Sequence, residues 1–242
     1  MSDSRVNELG LPIDFDVPGW QAREMPPGKV LEGRFCDVLP VDMDVHAADL
    51  HAANLLDKEH RIWVYLAYGP FETEADYREW MQATCLSKDP MFHAIVSKET
   101  GKAQGVASLM RINPAMGAIE VGHINYSPLL QRTKAATEAM YLLAKHVFDD
   151  LGYRRYEWKC NSLNERSCAA AKRLGFTYEG TFRQDMVYKG MNRDTAWYSM
   201  LDSEWPAVRA GFEAWLDDGN FAEDGQQRSG LGELIRAERQ AD

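Results

Sequence analysis

The stretch Leu129–Met140, LLQRTKAATEAM, turns a strand-like run into a helix rich in small residues. Upstream, Ala118–Tyr126 (AIEVGHINY) is β-branched, partly alternating and closed by Ser127-Pro128. From Lys134 onward, Ala136, Ala139, Met140, Leu143, Val147 and Leu151 form one apolar helical stripe, and Gly152 ends it. The first turn of a helix carries backbone N–H groups with no internal partner, and the macrodipole adds partial positive charge. A strand end feeding a helix start is therefore a phosphate site made of main chain. Arg132 and Lys134 add local positive charge.

Strands surround this junction. FHAIVSK from Phe92, a Glu99–Lys102 turn, AQGVASLMRI, an Asn113–Gly117 turn and AIEVGHINY read as an antiparallel meander. After the helix, Tyr153–Lys159 returns beside the sheet, and a crossover helix makes such strands parallel neighbours. Asn164–Leu174 reads as another helix, and residues 177–201 as a hairpin around Gly190-Met191-Asn192. Before the meander, Val30–Leu39 reads as one strand, and Asp42–Leu55 and Thr73–Leu86 as helices. The order gives an α/β (α+β) fold, with a mixed, mostly antiparallel central sheet flanked by helices. Residues 1–29 form an irregular Pro- and Gly-containing arm expected to pack through Ile13, Phe15 and Trp20. Residues 30–205 form the domain, and 206–242 a helical tail whose Phe212, Trp215 and Leu216 could cover either their own domain or a partner in a homodimer.

Composition narrows the function classes. A net charge of −10 argues against a nucleic-acid surface, which needs clustered cations, and mildly favours a cationic substrate. No long uncharged apolar run exists, and MSDSRVNELG lacks a secretory pattern, so a cytoplasmic protein without membrane association is expected. Four scattered cysteines form no C-x-x-C pair, and no metal site is expected.

Three motifs in order carry a family resemblance. Ile119–His123 resembles an E-I-G-Y strand. Gln131–Ala136 with Thr137-Glu138-Ala139 resembles a Q/R-x-x-G-x-G/A pyrophosphate motif with its A-T-E-A continuation. Asn164–Ser167, Leu174-Gly175-Phe176 and Glu179-Gly180 resemble an N-x-x-S, L-G-F, E-G run. Together they resemble the GNAT superfamily of N-acetyltransferases, in the branch of the ribosomal-protein alanine N-acetyltransferases, over about Val30 to Trp205. The resemblance implies a GNAT-like acyl-CoA N-acyltransferase fold, with acetyl-CoA as donor and a small-molecule or peptide amine as acceptor. It implies cofactor contacts from Ile124 and Tyr126 on the strand, from Gln131, Arg132, Thr133, Lys134, Ala135, Ala136 and Thr137 at the junction, and from Asn164. The chain departs from the motif at its first glycine, where Lys134 stands. Either the loop is shaped differently, or Lys134 points outward, or its ammonium reaches a phosphate.

Transfer of an acetyl group from a thioester to an amine needs a proton acceptor, oxyanion stabilisation and a proton for the thiolate. Glu120, mid-strand among apolar residues, is the candidate base, since burial favours protonated carboxyls. A structural Glu paired with Arg is the alternative. The strand 122–126 would supply backbone N–H groups to the oxyanion. Ser167 is the candidate acid, and Tyr126 and Tyr198 are alternatives; Asn164 and Ser167 could equally be helix caps. His93 and His123 could line the acceptor pocket or be structural. Trp63, Tyr65, Arg183, Asp185 and Trp197 are candidate acceptor contacts, while Lys172 and Arg173 read equally as a contact to the cofactor's adenosine phosphate or a solvated face. Cys160 and Cys168 lack the His neighbour that a nucleophilic thiol needs. A longer acyl donor such as succinyl-CoA, or a non-catalytic CoA-binding module, are the alternative functions.

Overall fold

The computed structural model describes residues 5–241. Two-residue strands β1 (Arg5–Val6) and β2 (Pro12–Ile13) pair only with each other, so the expected irregular arm contains a short ribbon. Because that ribbon stands off the main sheet, Ile13 and Phe15 remain exposed, contrary to the expectation that they pack. Trp20 does pack. Its Nε1 donates to Ala115 O, and its ring stands 2.3 Å from where a Cβ on Gly117 would lie. Only glycine fits that turn, which also takes φ +62°.

The single strand expected over 30–39 is a hairpin, β3 (Leu31–Glu32) and β4 (Cys36–Pro40). Its turn is captured by buried Glu138, whose carboxylate accepts from the amides of Arg34, Phe35 and Cys36 at 2.8, 2.6 and 3.0 Å. A buried charge is tolerated there because three donors replace its water. Helices α1 (Met43–Asn54) and α2 (Glu74–Thr84) start at side-chain caps, Asp42 and Thr73. The meander is β5 (Met91–Ser97), β6 (Ala103–Asn113) and β7 (Ala118–Tyr126).

Helix α3 (Lys134–Lys145) runs into a π-turn at His146–Asp150 before β8 (Arg155–Asn161). Helix α4 (Glu165–Arg173), the hairpin β9 (Thr177–Tyr188) and β10 (Met191–Leu201), and helices α5 (Trp205–Leu216) and α6 (Leu231–Ala241) complete the chain. The eight-stranded sheet has the order β3-β4-β5-β6-β7-β8-β10-β9, antiparallel except where β7 meets β8.

Strand alternation divides the centre of this sheet into two faces. Ile119 and Val121 of β7, Tyr156 and Trp158 of β8, and Tyr198 and Met200 of β10 join the stripe of α3 in the larger core. Phe212, Trp215 and Leu216 of α5 are buried in that same core, so the surface considered for a partner subunit is used within the chain. Glu120, Glu157, Lys159, Trp197 and Ser199 point to the other face. A smaller core under α1 and α2 includes Trp63, Tyr77, Met81 and Phe92, and Tyr68 and Trp80 pack against it.

Candidate functional site

The site begins where two strands part. Parallel pairing of β7 with β8 holds from Ala118–Arg155 to Val121–Trp158 and then stops, although β7 continues to Tyr126 and β8 to Asn161. On its other side β7 stays paired with β6 as far as Tyr126–Gly105. Residues 122–126 therefore present one free backbone edge to the opening, and an unpaired row of N–H and C=O groups is a template for a ligand's own amides. A bulge shapes this edge. Ala107 alone faces both His123 and Ile124, between the rungs Val106–Asn125 and Ser108–Gly122, and His123 takes φ +49°. A Cβ on Gly122 would stand 2.3 Å from Met110 Sδ and 3.5 Å from Glu120 Oε1, so glycine keeps the floor of the opening low.

The start of α3 closes one end. Thr133 caps it, its Oγ1 accepting from Ala136 N at 3.1 Å, and the amides of Lys134 and Ala135 lack intrahelical partners. The left-handed turn falls on Arg132 (φ +62°), two residues before Lys134, which has ordinary helical backbone. Lysine in place of the motif glycine is therefore accommodated without a positive φ at Lys134. The Lys134 ammonium sits 3.4 Å from the centre of the Phe221 ring and 5.4 Å from that of Phe35. It is half-buried against the tail, which differs from both orientations considered from sequence. Gln131 Nε2 donates to Tyr126 O, tying the junction to the strand edge, and Arg132 is exposed. Tyr126 Oη approaches Ala136 O, Thr137 is buried, and Ile124 and Ala135 are half-buried against the core. An open edge, free first-turn amides and adjacent cations fit a pantetheine diphosphate.

On β8's side, Asn164 Oδ1 accepts from Ser167 N, so the capping role expected as an alternative is present. Ser167 Oγ accepts from Trp158 Nε1 at 3.0 Å, and its hydroxyl also faces the Cys160 thiol. Trp158 belongs to the last parallel rung, so Ser167 is positioned where the strands part. Tyr198 is buried in the core, its ring tilted against that of Tyr178. Lys172 and Arg173 are both exposed, and the Arg173 guanidinium reaches Thr137 Oγ1 and the Trp215 ring. Burial pushes the Cys160 thiol up to about 12, and its sulfur lies 3.6 Å from that of Cys168. Neither geometry activates a nucleophile.

The opposite face carries an ion ladder. Glu120 is 3% exposed, and its Oε2 meets Arg111 at 2.8 Å and Lys159 at 2.9 Å. Lys159 continues to Glu157 at 2.7 Å, Glu157 to Arg155 at 2.6 Å, and Arg155 to Glu179 at 2.5 Å. Burial alone would raise the Glu157 carboxyl, but hydrogen bonds from Lys159 and Arg155 outweigh it and hold it below the usual carboxylate range. Both cations address the same oxygen of Glu120, and any proton-accepting role rests on Oε1. Trp197 lies over the Lys159 ammonium at 3.8 Å and stacks with Phe182.

Beyond Trp197, Arg183 and Asp185 line an open cleft of about 870 Å³ with Phe182, Gln184, Asn192 and Asp194. The hairpin end is clasped to the segment between α1 and α2, because Lys189 Nζ donates to the carbonyls of Trp63, Tyr68 and Gly69. Tyr65 Oη reaches Leu163 O, and Trp63 is buried. His123 packs between Tyr68 and Phe92, and Tyr68 Oη lies 3.2 Å from its Nδ1. Burial, then the nearby Arg111 charge, pushes its imidazole down to about 4. His93, also pushed down to about 4 by burial, is sealed in the interior. Sequence reasoning missed Arg111, Lys159, Tyr68 and Lys189. The alternation Arg155, Glu157, Lys159 was a readable sign that β8 presents charges to one face; nothing local marks the other three.

Known proteins place this geometry. The acetyltransferase (GNAT) domain family matches residues 40–177. A GCN5-related N-acetyltransferase from Brucella melitensis is 44% identical, covers 91% of this chain and 100% of its own, and superposes with a TM-score of 0.89. A GNAT-family protein from Chromobacterium violaceum ATCC 12472 is 41% identical over 81% of this chain and 98% of its own, with a TM-score of 0.75. YdaF of Bacillus subtilis (strain 168), a protein named as a ribosomal N-acetyltransferase, is 29% identical over 105 residues, 43% of this chain and 57% of that one. This chain thus spans somewhat over half the length of that curated relative.

Proposed function

Since the chain belongs to the GNAT acetyltransferase family, we propose that it transfers the acetyl group of acetyl-CoA to a primary amine, and that the amine is the N-terminus of a peptide or protein. The observation that carries this reading is the parting of β7 from β8 after Val121–Trp158, which leaves the backbone edge 122–126 free. Acetyl-CoA supplies the acyl group as a thioester. Strand 122–126 pairs its edge with the pantetheine amides, and N–H groups at the bulge stabilise negative charge on the thioester oxygen, an effect on the order of 3 kcal/mol in comparable oxyanion sites. The amides of Lys134 and Ala135, with Arg132 and Gln131 beside them, hold the diphosphate. Ser167, its oxygen already bonded to Trp158, offers its proton to the departing thiolate. Glu120, anchored by Arg111 and Lys159 through Oε2, leaves Oε1 beside Gly122 at the floor of the acceptor side as a hydrogen-bond acceptor for the amine.

The acceptor assignment draws on YdaF and on the clasp between Lys189 and residues 63–69, which walls the acceptor side and leaves room for an extended chain along the open hairpin. The test incubates the protein with acetyl-CoA and peptides bearing free alanyl or seryl N-termini, with spermidine as a small-amine control, and reads thiol release and the acetylated product by mass. Peptide acetylation at the α-amine is expected. Preference for spermidine would overturn the acceptor, faster turnover with succinyl-CoA would overturn the donor, and tight acetyl-CoA binding without turnover of any amine would leave a binding module.

A further inference from the structure

We infer that His123 takes the proton from the acceptor amine, with Tyr68 fixing its tautomer; this rests on the acetyl-transfer reading above. Five histidines are buried or half-buried: on α1, His46 Nδ1 accepts from Asp42 N and His51 Nε2 meets Phe71 O, away from the parted strands, and the other three differ in their surroundings. His93 Nδ1 and His146 Nε2 are sealed in the interior without partners. His123 bonds through Nδ1 to Tyr68 Oη at 3.2 Å, while its Nε2 meets no protein group among the described residues and keeps contact with solvent. A ring held by one nitrogen and open at the other is the arrangement of a general base.

The backbone places that open nitrogen. His123 is the first residue of the bulge, two residues beyond the last β7–β8 rung, in a left-handed conformation that costs an L-residue of order 1 kcal/mol or more. The bulge turns its side chain into the aromatic cluster of Tyr68 and Phe92, on the face that also carries Glu120. Stacking on Tyr68 and a tilted contact with Phe92 hold the imidazole ring. The charged and titratable groups facing it are Tyr68 from the α1–α2 segment and Arg111 from β6, whose guanidinium also holds Glu120. Burial, then the Arg111 charge, favours a neutral imidazole, and a neutral imidazole can accept. Burial holds the Tyr68 phenol well above its ordinary range, so Tyr68 stays a hydrogen-bonding partner and does not compete for the proton. Glu120, by contrast, already has two cations on one carboxylate oxygen.

The step balances. The amine nitrogen forms a bond to the thioester carbonyl carbon, the carbon–sulfur bond breaks, and its electron pair leaves on sulfur. The nitrogen's surplus proton passes to His123 Nε2 and from there to solvent, and the thiolate takes up a proton. The products are an amide and a thiol.

Two readouts test this. In protein labelled with ¹⁵N-histidine, His123 should carry its proton on Nδ1 and show an unprotonated Nε2 at pH 7; a protonated Nε2 overturns the assignment without any acceptor present. In kinetics with the alanyl peptide, His123→Ala should lower kcat at least 100-fold while coenzyme A binding by calorimetry stays within threefold. Millimolar imidazole should restore kcat at least tenfold. His123→Gln, which keeps a polar side chain but no base, should stay low. Activity of either variant within threefold of the parent, or a folded His123→Ala protein that imidazole does not rescue, overturns the inference. If the parent turns over none of the amines, the acetyl-transfer reading fails, and the tautomer still decides the state of His123.

Discussion

The two sides of the opening between β7 and β8 are built differently. The side proposed for the cofactor is mostly main chain: a strand edge, a bulge and the first turn of α3. The side proposed for the acceptor is mostly side chains brought from five places: Arg111, Glu120, Lys159, Tyr68 and Lys189. Backbone sites tolerate substitution provided that local conformation survives, as the helical backbone of Lys134 beside a left-handed Arg132 illustrates. Side-chain sites depend on each partner being present. The difference predicts that acceptor-side variants should be costly and selective, whereas cofactor-side variants should be mild.

The largest effect should come from Lys159→Met. It leaves Glu120 and Glu157 facing each other beneath Trp197, and removing one partner of a buried ion pair costs about 3–5 kcal/mol. Urea unfolding should show that loss, and adding Glu120→Gln should recover part of it; independent, additive losses would break the ladder as a unit.

Acid should act next. His93 and His123 both have folded-state values pushed down to about 4, below the ordinary value of about 6.5. The unfolded chain then binds more protons between those limits, so stability is full above about pH 6.5 and falls as pH drops toward about 4. Denaturation midpoints measured across that window should decline, less steeply in His123→Gln. A flat profile would contradict the burial of both rings.

Lys189→Met removes three hydrogen bonds to carbonyls and should cost about 1–3 kcal/mol of stability. Its selective signature is a raised KM for the peptide with acetyl-CoA affinity unchanged; an equal loss of both would erase the distinction between the sides. Smallest is Thr133→Ala, which removes the α3 cap and should lower stability by about 1 kcal/mol. Weaker dipole alignment should reduce acetyl-CoA affinity roughly two- to fivefold, read by calorimetry.

This contrast also explains what could be read in advance. The meander, the helix after Arg132 and the crossover to β8 follow from local periodicity and turn residues, and the structure keeps them with boundaries shifted by a few residues. Glu120, the α3 start and the Asn164–Ser167 run meet around the parted strands because their spacing is fixed by consecutive elements. The hairpin within 31–40 was invisible because its turn is stabilised by Glu138, about a hundred residues later. Tyr68 and His123 are likewise paired across 55 positions. Lys134 was misplaced for the same reason: its ring partner Phe221 lies in the tail, and no local pattern predicts a cation–π contact over that distance.

The docking of α5 on α3 sets an order on synthesis. Tyr141 and Phe148 stack with Trp205 and Phe212, residues that are translated some sixty positions later. A nascent chain growing from its N-terminus therefore carries an uncovered aromatic flank on α3 until Trp205–Leu216 clears the exit tunnel. A stop codon that falls inside α5 would release a product with the whole transferase sheet encoded and that flank still bare, a species destined for chaperones or aggregates.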